Sequence, residues 1–295
     1  MSFVQDIGKD EIRSGFLVTT DRKKVWEKEL EILAVFAELC AQHNLRWWGA
    51  YGTALGAVRH QGFIPWDDDI DVFMTRPDYD TFCRIARERM PQPYRFIDAY
   101  TGPFFRDFAK IMDPRTSAIE YPFRPDLPQG IFLDIFPLGA VPDSEDPAQQ
   151  MQFILETEIW LLIFNEKAMV EGLRNGDFAF HLSPKEVQTL VNLPLRERFR
   201  VFESMALDAW GTTGMVNFLY DEMATHKGKF PLSDLDETIE LPFENVRIPV
   251  FKHYENHLTS EYGDWHAFVR GGSDHEGLIL SADIPYQEYF SYIQE

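Results

Sequence analysis

Four aspartates fall within five positions of the run Pro65-Trp66-Asp67-Asp68-Asp69-Ile70-Asp71-Val72. On an extended backbone, side chains two residues apart face the same way. The pattern therefore puts Asp67, Asp69 and Asp71 on one face and turns Ile70 and Val72 toward a core. Carboxylates held this close repel, and each raises its neighbours' pKa unless a cation sits among them. Hard oxygen donors at this spacing suit Mg2+ or Mn2+. Asp67, Asp69 and Asp71 are accordingly candidate metal ligands, with Asp69 and Asp71 also catalytic. Asp68 points to the other strand face and is the weaker candidate. A solvated loop or a calcium site is the competing reading of the acidic run on its own.

A lone acid, Asp134, interrupts the apolar run Ile131-Phe132-Leu133-Asp134-Ile135-Phe136-Pro137. A buried carboxylate is costly unless it is paired or binds a metal. Asp134 therefore joins the set as a metal ligand and as the candidate base. Upstream, Gly52-Thr53 opens a short apolar segment. A helix beginning there aims backbone N–H groups and a hydroxyl at an anion, and the glycine lets the backbone come close. Gly52 and Thr53 are the candidate phosphate holders, and Arg59 and Lys110 the nearest positive partners. Arg59 and His60 can equally cap the end of the short helix, and Lys110 can be a strand-edge lysine. Strand, Gly-Thr turn, acid–apolar–acid on the next strand and a third acid later in the chain form the pattern of nucleotidyltransferase-fold enzymes. Two metals held this way can activate a hydroxyl and stabilise a phosphate leaving group.

These residues need elements to carry them. A helix from Thr20 or Asp21 to about His43 shows an apolar stripe at Trp26, Leu30, Leu33, Ala37 and Cys40. A strand over 45–51, a helix over 54–59, the acidic strand over 69–75 and a helix opened by Pro77 and reaching about Met90 follow. Strands are expected at 94–99, 108–112, 117–121 and 131–136. Beyond 142 the pattern is mainly helical, at 147–171, 184–193, 195–210 and 215–225. A hairpin over 238–250 turns at Glu244-Asn245, and a helix over 252–262 stops at Gly263. Residues 1–18 read as an extended arm and 271–275 as a loop. The expected fold is α/β (α+β): a mixed-sheet catalytic core over 1–142, including the N-terminal helix, and a mainly helical acceptor-side region over 143–295.

Composition narrows the partners. The 295 residues carry a net charge of -20, which argues against a nucleic-acid surface without excluding a local basic pocket. Two cysteines exclude a disulfide framework and fit a reducing compartment. The N-terminus lacks a signal-peptide pattern, and 159–164, the densest apolar run, is too short to span a membrane. A cytoplasmic protein is expected, with room for peripheral contact at the inner membrane face. His253 and His257 lie four apart, but the intervening residues do not make the metalloprotease pattern. Gly-x-Ser-x-Gly, Walker and Gly-x-Gly-x-x-Gly motifs are missing, so hydrolase, P-loop and dinucleotide readings lack support.

The run from Gly52 through Gly56-Ala57-Val58-Arg59-His60-Gln61-Gly62-Phe63-Ile64-Pro65-Trp66 to Asp71 resembles the signature of the LicD family of phosphotransferases, which includes the fukutin-related proteins. Arg76, Asp78-Tyr79, Phe82, Ala109-Lys110, Thr116 and 131–137 extend the resemblance. Ile248-Pro249, Tyr254, Leu258 and Tyr262-Gly263-Asp264-Trp265 echo its closing motif. The resemblance implies Mg2+ or Mn2+ and a CDP-alcohol donor. CDP-choline is the expected donor, its phosphocholine passing to a sugar of a cell-surface glycan or teichoic acid precursor, which can be lipid-linked, with release of CMP. A quaternary ammonium donor would call for aromatic faces, which the sequence leaves unassigned. The alternatives are a nucleotidyltransferase acting on a small molecule, which would release pyrophosphate, and an inactive metal- or nucleotide-binding module.

Overall fold

The computed structural model describes residues 2–102, 105–122, 124–177, 179–270 and 277–291. The expected loop at 271–275 lies outside them. The N-terminal arm contains a hairpin, β1 (Glu11–Arg13) and β2 (Phe16–Val18). Its turn residues Ser14 and Gly15 both have positive φ, 48° and 76°, the backbone that two-residue hairpins require. Helix α1 (Thr20–Gln42) is capped by Thr19, whose hydroxyl accepts from the Arg22 N–H, one residue before the expected cap. Its Trp26, Leu30, Leu33 and Cys40 are buried, as the stripe required.

Strand β3 is only Trp48–Gly49, and α2 (Tyr51–Arg59) begins at once. Gly52 and Thr53 thus lie inside the first turn of α2 rather than ahead of it. Strand β4 (Asp71–Thr75) leads into α3 (Arg76–Arg89), whose N-cap Thr75 and early Pro77 define its start. The expected strand began at Asp69. Instead Asp67–Ile70 form a connecting loop, so strand alternation does not set the directions of Asp67 and Asp69. β5 (Arg95–Ile97), β6 (Ala109–Met112), β7 (Ser117–Ile119) and β8 (Phe132–Val141) follow.

In the first compact unit, residues 1–137 and 237–295, the central sheet runs β3-β4-β8-β6-β5. α1 and α3 pack on it through Trp26, Phe36, Phe82 and Ala86 against Val72, Met74, Ile111 and Leu133. The edge hydrogen bonds that a short β3 cannot make are supplied by Ala50, whose N–H donates to the Asp71 carbonyl at 2.9 Å.

The second unit covers 138–236. Here the end of β8 pairs with β9 (Met215–Asn217), and β9 pairs with β10 (Phe230–Pro231). Its helices are α4 (Pro147–Phe164), α5 (Glu166–Asn175), α6 (Pro184–Asn192), α7 (Leu195–Ala209) and α8 (Leu219–Ala224). The single helix expected over 147–171 is broken at Asn165. The helix expected over 215–225 opens instead as β9, because those three residues complete the backbone ladder of β8, where pairing outweighs local helix preference. Buried Arg198 ties α7 to α4 and α5 through the Leu162 carbonyl and the Glu166 carboxylate.

Residues 237–295 return to the first unit, a different division from the split expected at 142. They form the expected hairpin, β11 (Thr238–Phe243) with β12 (Val246–Phe251), and then α9 (Tyr254–Tyr262), ended by Gly263 at φ 67°. β13 (Ile279–Ser281) pairs with β7, and α10 (Tyr286–Ser291) closes the described chain. Among the described residues no helix is long and apolar enough to cross a membrane.

Candidate active site

The Gly-Thr turn and the acids meet at the β3–α2 and β4–β8 junctions. Thr53 is buried, and its hydroxyl accepts from the Asp71 N–H at 2.9 Å. The N-cap of α2 is Ala50, which has no polar side chain, so the first turn of α2 carries no side-chain cap. That leaves the helix start suited to an anion. A Cβ added at Gly52 would lie 2.5 Å from Asp67 Oδ2. Asp67 therefore leans over the helix start, and only glycine accommodates it.

Tyr51, the first residue of α2, has φ 39°. A left-handed aromatic residue is strained by about 1–3 kcal/mol, and the close β3–α2 junction holds it there. Its ring lies 4.8 Å from Phe73 and 5.4 Å from Phe136.

Ligand oxygens of Asp67, Asp68 and Asp69 all lie within 4.8 Å of one another. Asp68 is thus a full member of the group, because these residues form a loop and not a strand. Asp71 enters from the start of β4. On β8 the Asp134 N–H donates to the Ile70 carbonyl at 3.1 Å, which brings the second acidic strand beside the first. Burial and then the charges of Asp69, Asp134 and Asp67 push the Asp71 carboxyl well above the ordinary carboxylate range, against a smaller opposing effect of Lys110. Burial, followed by Asp69 and Asp68, does the same to Asp67. Such a set is neutralised by protons or by a hard divalent cation, and its all-oxygen donors fit Mg2+ or Mn2+.

Lys110 and Asp134 face each other across β6 and β8, with Nζ 3.1 Å from Oδ1. Lys110 also stands 3.5 Å above the Phe132 ring. Arg59 donates to the carbonyls of Trp265 and Ala267 at 2.8 and 3.0 Å and lies over Phe268. It fastens the segment after α9 to α2. His60 stands beside Arg59, which donates to its Nε2 at 3.1 Å. Burial and that cation lower the His60 pKa from 6.5 to about 4.

Sequence reasoning missed the contribution of α1. Arg22 and Trp26 both donate to the Asp67 carbonyl, at 2.6 and 3.0 Å. One turn on, Glu29 is 1% exposed, and its Oε2 finds no hydrogen-bond partner among the described residues. Burial and then Asp69, Asp68 and Asp67 push its carboxyl well above the ordinary range. The four- and three-residue spacing of Arg22, Trp26 and Glu29 was readable as a helix face, but nothing local said which loop it would grip. His257, paired in sequence with His253, is instead buried among rings, 5.3 Å from Phe73 and 5.8 Å from Tyr51.

A helix start open to phosphate, next to carboxylates from two neighbouring strands of a mixed sheet, defines a phosphate-transferring enzyme of the nucleotidyltransferase type. Residues 44–153 match the family model described as LicD/FKTN/FKRP, nucleotidyltransferase domain. Over 254 residues, 80% of this chain and 88% of the relative, it is 29% identical to the lipopolysaccharide cholinephosphotransferase LicD of Haemophilus influenzae. A 58-residue stretch is 43% identical to an uncharacterized protein of Rickettsia typhi, covering 20% of this chain and 19% of that one. The chain belongs to the LicD family of phosphotransferases.

Proposed function

We propose that this protein transfers phosphocholine from CDP-choline to a hydroxyl of a cell-surface glycan precursor and releases CMP. The observation that carries the reading is the convergence of Asp71 and Asp134, from neighbouring strands, beside the first turn of α2 at Gly52 and Thr53. Support for choline comes from the printed activity of the Haemophilus relative. Gly52, Thr53 and the uncapped N–H groups of α2 hold the diphosphate. Asp67, Asp69, Asp71 and Asp134 would hold Mg2+ or Mn2+, and Asp68 lies within the same group. The cation supplies charge neutralisation for a phosphate group and its leaving oxygen.

In the step itself the acceptor oxygen forms a bond to the choline-bearing phosphorus. The bond from that phosphorus to the bridging oxygen breaks, and CMP leaves with the electron pair. The acceptor proton passes to the Asp134 carboxylate, whose orientation Lys110 fixes. Arg59 secures the helix that presents the phosphate site. The acceptor is a saccharide hydroxyl, which can belong to a lipid-linked precursor, and the reaction runs at the inner face of the membrane.

Incubation with CDP-choline, CDP-ethanolamine, CDP-ribitol and CTP in the presence of Mg2+ tests the reading. CMP release from CDP-choline is expected. Pyrophosphate release from CTP, without CMP, would replace it with nucleotidyl transfer. Asp71→Asn should reduce CMP release on the order of 10²–10³-fold and abolish Mn2+ binding measured by calorimetry.

A further inference from the structure

The sheet face that carries the acids continues into a row of rings. Asp134 and Phe136 are two apart on β8 and so share a face. Lys110 pairs with Asp134 across β6, and Phe108, two residues before Lys110, has its ring 4.7 Å from Phe136. On the neighbouring strand Asp71 and Phe73 stand in the same relation. The row of charge, Asp71, Asp134 and Lys110, is thus followed by a row of rings, Phe73, Phe136 and Phe108. Two residues of strand separate the rows, roughly 6.6 Å.

Tyr51 covers this second row. Its ring meets Phe136 edge-on at 5.4 Å and Phe73 at 4.8 Å. Phe73 is fully buried and forms the floor. Tyr51, Phe108 and Phe136 are each only half-buried, so their rings border open space. Core packing alone does not account for Tyr51. A leucine or an alanine in the right-handed helical region would cover Phe73 without a left-handed backbone, yet φ is 39° and the aromatic ring is turned beside Asp71. An outlier kept next to catalytic carboxylates points to a task for the side chain it orients.

We propose that Tyr51 and Phe136, with Phe108 beside them, form the subsite for a quaternary ammonium group on the transferred phosphate. This rests on the phosphotransfer reading above and adds to it the feature that selects the alcohol. Aromatic faces attract a cation that cannot donate hydrogen bonds, and the adjoining carboxylates favour positive charge. The two protein cations close to Phe108 are already paired, Lys110 with Asp134 and Arg106 with Glu120 at 3.2 Å. The Tyr51–Phe136 side is therefore the face left for the ligand. A phosphocholine whose phosphate lies at the acids has a two-carbon arm that carries its ammonium toward the rings.

The test is binding by calorimetry, with phosphocholine and CMP as separate probes, followed by turnover of CDP-choline and CDP-ribitol. Tyr51→Leu and Phe136→Leu should each weaken phosphocholine binding about tenfold or more and raise the KM for CDP-choline to match. Affinity for CMP should change less than about twofold, which shows the site intact. Tyr51→Phe should retain most of the phosphocholine affinity, because the ring and not the hydroxyl is at work. Equal phosphocholine affinity in the leucine variants would overturn the proposal, and so would a parallel loss of CMP binding. Wild-type protein that releases no CMP from CDP-choline would remove the parent reading, while the phosphocholine affinities would still decide the subsite.

Discussion

Lys110 Nζ lies 3.1 Å from Asp134 Oδ1, and both side chains are 8% exposed. The pair spans β6 and β8 at matching register, so neither side chain can leave without stranding the other. Removing one partner of a buried ion pair costs more than the pair contributes, because the remaining charge stays desolvated. Lys110→Met should lower stability by about 3 kcal/mol in urea titration. Adding Asp134→Asn to it should recover part of that loss. If the double variant were less stable than Lys110→Met, the charge-stranding argument would fail.

Gly52 works by what it lacks. A methyl group there would meet Asp67 Oδ2 at 2.5 Å, so Gly52→Ala must displace the Asp67 carboxylate or the first turn of α2. The helix interior would tolerate alanine well. We expect circular dichroism close to wild type, with Mn2+ affinity and CMP release both reduced at least tenfold. An alanine variant with full activity would show that the helix start and the acidic loop are not coupled.

The raised carboxyl groups of Glu29, Asp67 and Asp71 give the metal-free protein an unusual pH response. A carboxyl whose folded pKa exceeds its unfolded value contributes stability below the unfolded value, near 3.8 for aspartate and 4.5 for glutamate. That contribution is lost as pH rises through the folded value. In divalent-free buffer, Tm should therefore carry a component that falls as pH rises from about 4.5 toward neutral. Mg2+ should restore it, by more at neutral pH than at pH 5. Glu29→Gln should raise the metal-free Tm at pH 7 and shrink the gain from Mg2+. A Tm gain from Mg2+ that did not grow with pH would argue against carboxylate repulsion as its source.

His60 responds in the opposite sense. Its pKa falls from 6.5 to about 4 on folding, through burial and then Arg59. Between those values the unfolded chain binds the proton that the folded chain refuses. Stability is then full above about 6.5, declines as pH falls and levels off below about 4. His60→Gln should remove that part of the acid sensitivity. NMR of the imidazole should find it neutral at pH 5.5, and a protonated ring at that pH would refute the assignment.

Much of the site was legible in the chain itself because its signals are local. An uncapped Gly-Thr helix start, four acids in five positions and one acid in an apolar strand each violate packing logic in a way that only chemistry explains. The long α1 stripe, the early proline of α3 and the β11–β12 hairpin were legible for the same reason, since capping, turn chemistry and periodicity act over a few residues. The places where the structure departs are set by distant partners. Asp67 and Asp69 leave the expected strand because α1 pins the Asp67 carbonyl through Arg22 and Trp26. Residues 215–217 extend because β8 offers them a ladder.

The sequence alone determined which residue types this protein brings to phosphate chemistry and the order in which it presents them. Only tertiary structure decided that Glu29 lies beneath the acids, that Lys110 answers Asp134, and that Tyr51, Phe108 and Phe136 gather beside them. Those relationships join residues scores of positions apart. Burial and strand register create them, and neither quantity exists until the chain has folded.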